Sequence, residues 1–208
     1  MADRLATGIP ALDRKLDGGL PRGGLSTLTA APDSQSELLL SQLAIGQETA
    51  YISTERPASS VRTAMEDNGV NAADLTIYDV SCETPILDSI RYVREYVDQD
   101  LVVVDPVDVL EAAGHDQYRE FLAELGNRME TTGGTAVLYG LVGGAIPAGR
   151  TLTTYMADVV LNLETTVEDE SIRNRLTVPK FRGGAAFDES LRLELTERVG
   201  VDTSRDIA

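Results

Sequence analysis

The segment Gly23–Leu40, GGLSTLTAAPDSQSELLL, decides how the chain is read. Its first part reads as a short buried strand. The apolar run after Glu37 reads as a helix, predicted from about Ser36 to Ile45. A strand passing through a tight turn into a helix is the setting of a phosphate-binding loop, where backbone N–H groups at the helix start hold an anion. Yet the turn, from Thr29 to Glu37, contains neither glycine nor lysine. Within it, SQSE (Ser34–Glu37) has the form of a capping box, a serine followed three residues later by a glutamate. That pattern predicts a helix start satisfied by its own side chains, with Glu37 complementing the helix dipole.

Outward from this segment, strand-like runs alternate with helical ones. TAYISTE precedes PASSVRTAMEDNG, which has proline in its first turn and an Asn-Gly stop. LTIYDVS precedes ETPILDSIRYVREYV, where Ile86, Ile90, Val93 and Val97 share one helical face. LVVVD (101–105) is a β-branched run of the kind buried on both faces in a parallel sheet. QYREFLAELGNRMETTGG then predicts a helix with a glycine stop, and TAVLYGLV another buried strand. This alternation predicts an α/β fold, a mostly parallel central sheet flanked by helices. After Asp158, ADVVLNLETTV, SIRNRLTVPKFRGG and LRLELTERV read as strands joined by turns, a C-terminal antiparallel extension. VEDES and GGAAFDES serve as the hairpin tips. The length of 208 residues fits one domain. It divides into a lead-in (1–23), a βα core (24–157), antiparallel strands (158–199) and a tail (200–208).

Composition narrows the function classes. Thirty-four acidic residues against 18 basic ones give a net charge of −16, and Lys15 and Lys180 are the only lysines. Acid excess with lysine nearly absent and acids spread along the chain is expected of a protein from a high-salt cytoplasm. There the screening length falls to roughly 3 Å at 1 M salt. The alternative is an acidic surface that mimics or repels nucleic acid. Unaided duplex binding is not expected, because phosphate contacts need clustered Lys and Arg. A single cysteine, Cys82, excludes an internal disulfide framework, and a single histidine, His115, leaves no Cys/His metal site. Cys82 reads as a small hydrophobe and His115 as a loop residue without a catalytic role. No run of about 18 apolar residues is present, and the first residues lack a secretory pattern, so a cytoplasmic protein is expected.

TGIPALDRKLDGGLPRGGLSTLTAAP (Thr7–Pro32) resembles the opening of RecA-superfamily ATPases of the KaiC and archaeal RadA type. YISTE is similar to their second strand, LVVVD to their Walker B strand, and ADVVLNLE with VPKFRGG to their closing strands. The resemblance covers nearly the whole chain and implies a RecA-like P-loop NTPase fold. It sets Ala30, Gln35, Ser36 and Glu37 where the Walker A motif has Gly, Gly, Lys and Ser/Thr, so every signature position is replaced. Asp33 and Ser34 complete this degenerate loop. Each carboxylate about 5 Å from a phosphate charge costs roughly 3 kcal/mol at an effective dielectric of 20. Ordinary nucleotide binding is therefore not expected, and neither is a cofactor or a metal.

The resemblance also implies roles for other residues, each beside a plainer reading. Glu55 lies where relatives place the glutamate that activates water, and is otherwise a polar residue at a strand exit. Arg56 follows it, where some relatives have a second glutamate. Asp105 matches the residue that orders Mg²⁺ and water in relatives, and is otherwise an acceptor of backbone bonds in the turn DPVD. Lys180 and Arg182 match residues that reach a neighbour's nucleotide across a ring boundary, and are otherwise solvated charges on a hairpin. GLVGGAIPAGR (Gly140–Arg150) matches a region that contacts DNA in recombinases, but with one charge it reads as a mobile interaction loop or linker.

These readings favour a catalytically degenerate member acting through protein contacts, as a regulatory or scaffolding subunit. Its partner is expected to be an intact KaiC- or RadA-like ATPase, or a second copy of the chain. One alternative is an ATPase using ATP and Mg²⁺ with a divergent loop. Another is a DNA recombination or repair accessory factor. No membrane association is expected.

Overall fold

The structure is a computed structural model. It describes residues 3–81, 97–168, 171–185 and 187–202. Cys82, most of the helix expected over 83–97, the first hairpin tip at 169–170 and the tail beyond 202 lie outside the described residues.

The lead-in forms β1 (Arg4–Leu5), α1 (Pro10–Lys15) and β2 (Leu20–Pro21), with β1 and β2 paired antiparallel. Thr7 ties it together: its N–H and hydroxyl both donate to Asp13 Oδ1 at 2.7 Å, across the Thr-Gly-Ile-Pro-Ala-Leu-Asp segment. Leu5, Ile9, Leu12, Leu16 and Leu20 are all buried, so this segment closes one side of the main core.

The main sheet is built from β3 (Gly24–Ala30), β4 (Thr49–Ser53), β5 (Leu75–Asp79), β6 (Leu101–Asp105), β7 (Thr135–Leu141), β8 (Val159–Glu168), β9 (Ser171–Phe181), β10 (Leu191–Leu195) and β11 (Val199–Val201). The strands lie in the order β5-β4-β6-β7-β3-β8-β9-β10-β11. Pairing is parallel from β5 through to β8, then antiparallel from β8 to β11. The expected extension is therefore present, but β8 belongs to both halves, parallel to β3 and antiparallel to β9. LRLELTERV is two strands rather than one: β10 turns back at Thr196–Arg198 and pairs with β11. Residues 200 and 201 thus complete the sheet instead of opening a tail.

Helices α2 (Ser36–Ala44) and α3 (Ala58–Asp67) cover one face, and α4 (Asp108–Glu111), α5 (His115–Thr132) and α6 (Arg150–Met156) the other. Strand periodicity explains why residues 101–104 of LVVVD are all apolar. Leu101 and Val103 join Leu39, Leu43 and Val61, whereas Val102 and Val104 join Phe121, Leu125 and Met129 on the opposite side. Each such side chain contributes about 1.5–3 kcal/mol when fully buried.

Helix α5 ends at Gly133, whose φ of 75° supplies the left-handed turn that stops it. His115 is its first residue, exposed and beside Asp116, so it belongs to the helix and not to a loop. The glycine-rich segment is also more constrained than a linker. Arg150 starts α6 and is buried, and a Cβ on Gly140 would fall 2.6 Å from its guanidinium. No helix among the described residues is long and apolar enough to cross a membrane.

Gly126 offers a direct test of the packing around α5. A Cβ there would meet nothing nearer than Leu25 Cδ1 at 3.8 Å. Gly126→Ala is expected to stabilise the fold by about 0.5–1 kcal/mol through helix propensity, read from the urea midpoint. Destabilisation would show that α5 packs more tightly on β3 than this spacing states.

Candidate functional site

The carboxyl ends of β3, β4, β6 and β7 meet the start of α2, at the crevice where open α/β sheets usually carry their sites. Period-two alternation puts Tyr51, Asp105 and Tyr139 on the face that α2 covers. The strands thus deliver three polar groups beneath the loop 31–35, and all three are buried.

The loop is shaped differently from a capping box. Ser34 bends back, its N–H and hydroxyl both donating to the Ala31 carbonyl at 3.0 and 2.6 Å. Gln35, not Ser34, is the N-cap of α2, and no side chain caps the helix. The sequence reading fails because the serine hydroxyl has a nearer acceptor behind it. Its glutamate has a stronger donor in front of it, since a guanidinium outcompetes a single backbone N–H for a carboxylate. Ser36 hydrogen-bonds Tyr139 Oη at 2.8 Å. Ala30 ends β3 and is buried. Asp33 and Gln35 are exposed and border a groove of about 660 Å³. Its far wall includes Thr165, Asn174, Arg175 and Leu193.

The donor facing Glu37 is Arg56. Its Nη1 donates to Glu37 Oε1, while its Nη2 donates to Asp105 Oδ2 at 2.7 Å and contacts Tyr51 Oη at 3.2 Å. Tyr51 also donates to Asp105 Oδ2. One guanidinium therefore spans the start of α2 and the end of β6. Burial alone would pull the Arg56 pKa down, but Tyr51, Asp105 and Glu37 outweigh it and raise the value above the ordinary arginine range. Burial, reinforced by Asp105, keeps the Tyr51 phenol protonated far above its usual value. The Arg56 backbone is pinned as well: its N–H donates to Ser53 Oγ at 3.2 Å, and that hydroxyl donates to the Arg56 carbonyl at 2.6 Å.

Asp105 departs from its plainer reading. Its carboxylate takes side-chain donors, and the turn's backbone acceptor is Asp108, whose Oδ2 receives the Leu141 N–H at 2.9 Å. Glu55 is exposed and lies outside this network.

Behind the site, Arg150 forms a second ion cluster. Its Nε donates to both Glu111 oxygens at 2.9 and 2.8 Å, its Nη2 to Asp108 Oδ1 at 2.8 Å and its Nη1 to the Leu141 carbonyl at 3.0 Å. Thr153 donates to Glu111 and exchanges a hydrogen bond with Tyr118 at 2.6 Å. Burial raises the Glu111 carboxyl above its usual range, against the opposing pull of Thr153 and Arg150. Sequence reasoning missed this cluster, although Asp108 and Glu111, three apart within an otherwise apolar turn, were its visible signal.

Lys180 and Arg182 lie elsewhere, at the C-terminal end of α6. Lys180 Nζ donates to the carbonyls of Thr154 and Tyr155, both at 2.8 Å. Arg182 reaches the Tyr155 carbonyl at 3.0 Å and pairs with Asp158 at 3.1 Å. They are bound to helix carbonyls rather than freely solvated, where cations suit the helix dipole. Burial, with Arg182 behind it, lowers the Lys180 ammonium below its usual value. Among the described residues no group of three or more His, Cys, Asp or Glu side chains can hold a metal ion.

This architecture defines a RecA-like fold of the KaiC-like kind. The solved structure of KaiC-like protein PH0186 from the hyperthermophilic archaeon Pyrococcus horikoshii OT3 superposes with a TM-score of 0.77. That match covers 97% of this chain and 100% of the other at 19% identity. As many as 684 solved chains match, so the likeness fixes architecture and not activity. No curated protein matches. The chain itself belongs to the family of unknown function DUF7125, whose model matches residues 4–208.

Removing the cation from the buried cluster tests its weight. Arg150→Ala leaves Glu111 and Asp108 without their cation and is expected to cost about 3–5 kcal/mol in urea unfolding. Glu55→Ala, at an exposed site, is expected to stay within about 0.5 kcal/mol. Equal effects of the two substitutions would contradict the cluster.

Proposed function

We propose that this chain is a KaiC-like RecA-fold protein with a degenerate Walker A loop, acting through protein contacts as a regulatory or scaffolding subunit. The observation that carries this reading is the Arg56 guanidinium lying between Glu37 and Asp105. In the resemblance, those positions belong to the residues that hold Mg²⁺. Here an internal cation bridges them, while Ser36 stands for the phosphate-binding lysine and is engaged with Tyr139. The residues present do not fit a polyphosphate with its metal ion. ATP and Mg²⁺ are therefore not part of the proposed activity, and the reading of a divergent ATPase is the weaker one.

The partner in this reading is an intact KaiC- or RadA-like ATPase, or a second copy of the chain. Val167 and Ile172, opposed across β8 and β9, are 77% and 67% exposed, which supports protein contact at that end of the sheet. Lys180 is on β9 and Arg182 directly follows that strand; the two would complete a neighbour's site, since cations supplied in trans stabilise charge on a transferring phosphoryl group. DNA binding has little support, because Arg150, the sole charge of the segment 140–150, is buried in an ion pair. The high-salt cytoplasmic setting rests on the net charge of −16.

Two experiments test this reading. ATP with Mg²⁺ at 1 mM is expected to leave the melting temperature unchanged in multimolar salt. A ligand at 100 times its Kd would add about 2.7 kcal/mol, an obvious shift. A rise of several degrees that Asp105→Ala abolishes would reinstate the ATPase reading. For the partner, the protein is added to a copurifying ATPase, and wild type is compared with Lys180→Ala/Arg182→Ala at a temperature where both are folded. Loss of rate modulation with retained binding is expected. Equal modulation by both would remove the trans role.

A further inference from the structure

We infer that Arg56 is a side-chain latch that excludes metal cations from the Glu37–Asp105 pair by occupying their place. The inference rests on the closed-site reading and adds how the site is kept closed. Three observations carry it.

The first is the arrangement of charge. Glu37 and Asp105 come from different elements, the start of α2 and the end of β6, and meet one guanidinium through its two terminal nitrogens. Without that cation two carboxylates would face each other across the crevice. Tyr51 Oη stands beside them, and the Asp105 side chain is only 6% exposed, so little water screens that end of the pair. Two carboxylates and a phenol oxygen are hard oxygen donors, the set preferred by Ca²⁺, Mg²⁺ and lanthanide-like ions.

The second is that the latch can move without unfolding anything. The Arg56 side chain is 33% exposed and the Glu37 side chain 49%, so the outer half of the bridge opens to solvent. The backbone at the latch is held independently. Ser53 bonds both the N–H and the carbonyl of Arg56, Thr54 bonds the carbonyls of Asp105 and Pro106, and the Ala58 N–H meets Asp79. Rotation of the arginine side chain alone uncovers both carboxylates.

The third is that, among the described residues, Glu37 and Asp105 form ion pairs with no cation but Arg56. Arg150, behind the site, is already engaged by Asp108 and Glu111. Loss of the Arg56 charge therefore leaves a cation-demanding site and not a neutral one.

The test uses terbium, a hard cation whose emission is sensitised by a nearby tyrosine, here Tyr51. Wild type, Arg56→Lys, Arg56→Gln and Arg56→Gln/Glu37→Gln are titrated at low ionic strength. The expected result is saturable binding to Arg56→Gln at least tenfold tighter than to wild type. That site is lost in the double variant and absent in Arg56→Lys, which restores the charge. The double variant also subtracts terbium held elsewhere on the acidic surface. Equal titrations for wild type and Arg56→Gln would overturn the latch. If Arg56→Gln is unfolded without metal, the latch predicts that terbium restores its circular dichroism, and failure to do so overturns it. Stabilisation of the wild type by ATP and Mg²⁺ would count against the closed-site reading on its own, whatever terbium shows for the variants.

Discussion

A parallel sheet buried on both faces leaves almost nowhere for a polar side chain along its strands. β4, β6 and β7 are covered above and below, and between their end residues they carry Ala, Ile, Leu, Val and Tyr, with Gly140 the one exception. Polar groups collect where the strands leave the sheet, because only there can the backbone turn and side chains find partners. Tyr51, Ser53, Asp105 and Tyr139 come together for that reason, at one edge and on one face. The start of α2 is carried to the same place by β3, which lies beside β7. The site follows from the order of the strands.

Two guanidinium groups then hold this edge together, one on each face of the sheet. On the α2 side Arg56 joins Glu37 to Asp105. On the other side Arg150 joins Asp108 and Glu111 and reaches the end of β7. They differ in burial, and so in consequence. Arg150 is nearly sealed, and such a pair acts as a structural joint whose removal leaves uncompensated charge. Arg56 is partly open to water, so its pairing is more readily exchanged. The glycine at position 140 belongs to the first kind of constraint, since the guanidinium of Arg150 lies against its backbone.

The fold was legible to a large degree because its signals are local. LVVVD announces a strand buried on both faces, PASSVRTAMEDNG carries its own start and stop, and Gly133 ends α5 as the sequence indicates. The errors were local signals with a nearer competitor. SQSE has the spacing of a capping box, but Ser34 turns to Ala31 and Glu37 to Arg56. LRLELTERV reads as one strand, yet its Thr196–Arg198 portion turns and pairs the chain with itself. Arg150 reads as a loop charge because nothing adjacent in sequence reveals the carboxylates that bury it.

The sequence by itself determined the class of architecture, a turn from Thr29 to Glu37 without glycine or lysine, and the acidic balance of the chain. Those properties are written in residue identity and in periods of two and 3.6, which need no long-range contact to be read. The tertiary structure decided which charges meet. Arg56 finds Glu37 19 residues away and Asp105 49 residues away, and Arg150 finds Glu111 39 residues away. A side chain's partner at such separations is set by which strands lie side by side, and the shape of the site emerges only when β4, β6 and α2 are packed together.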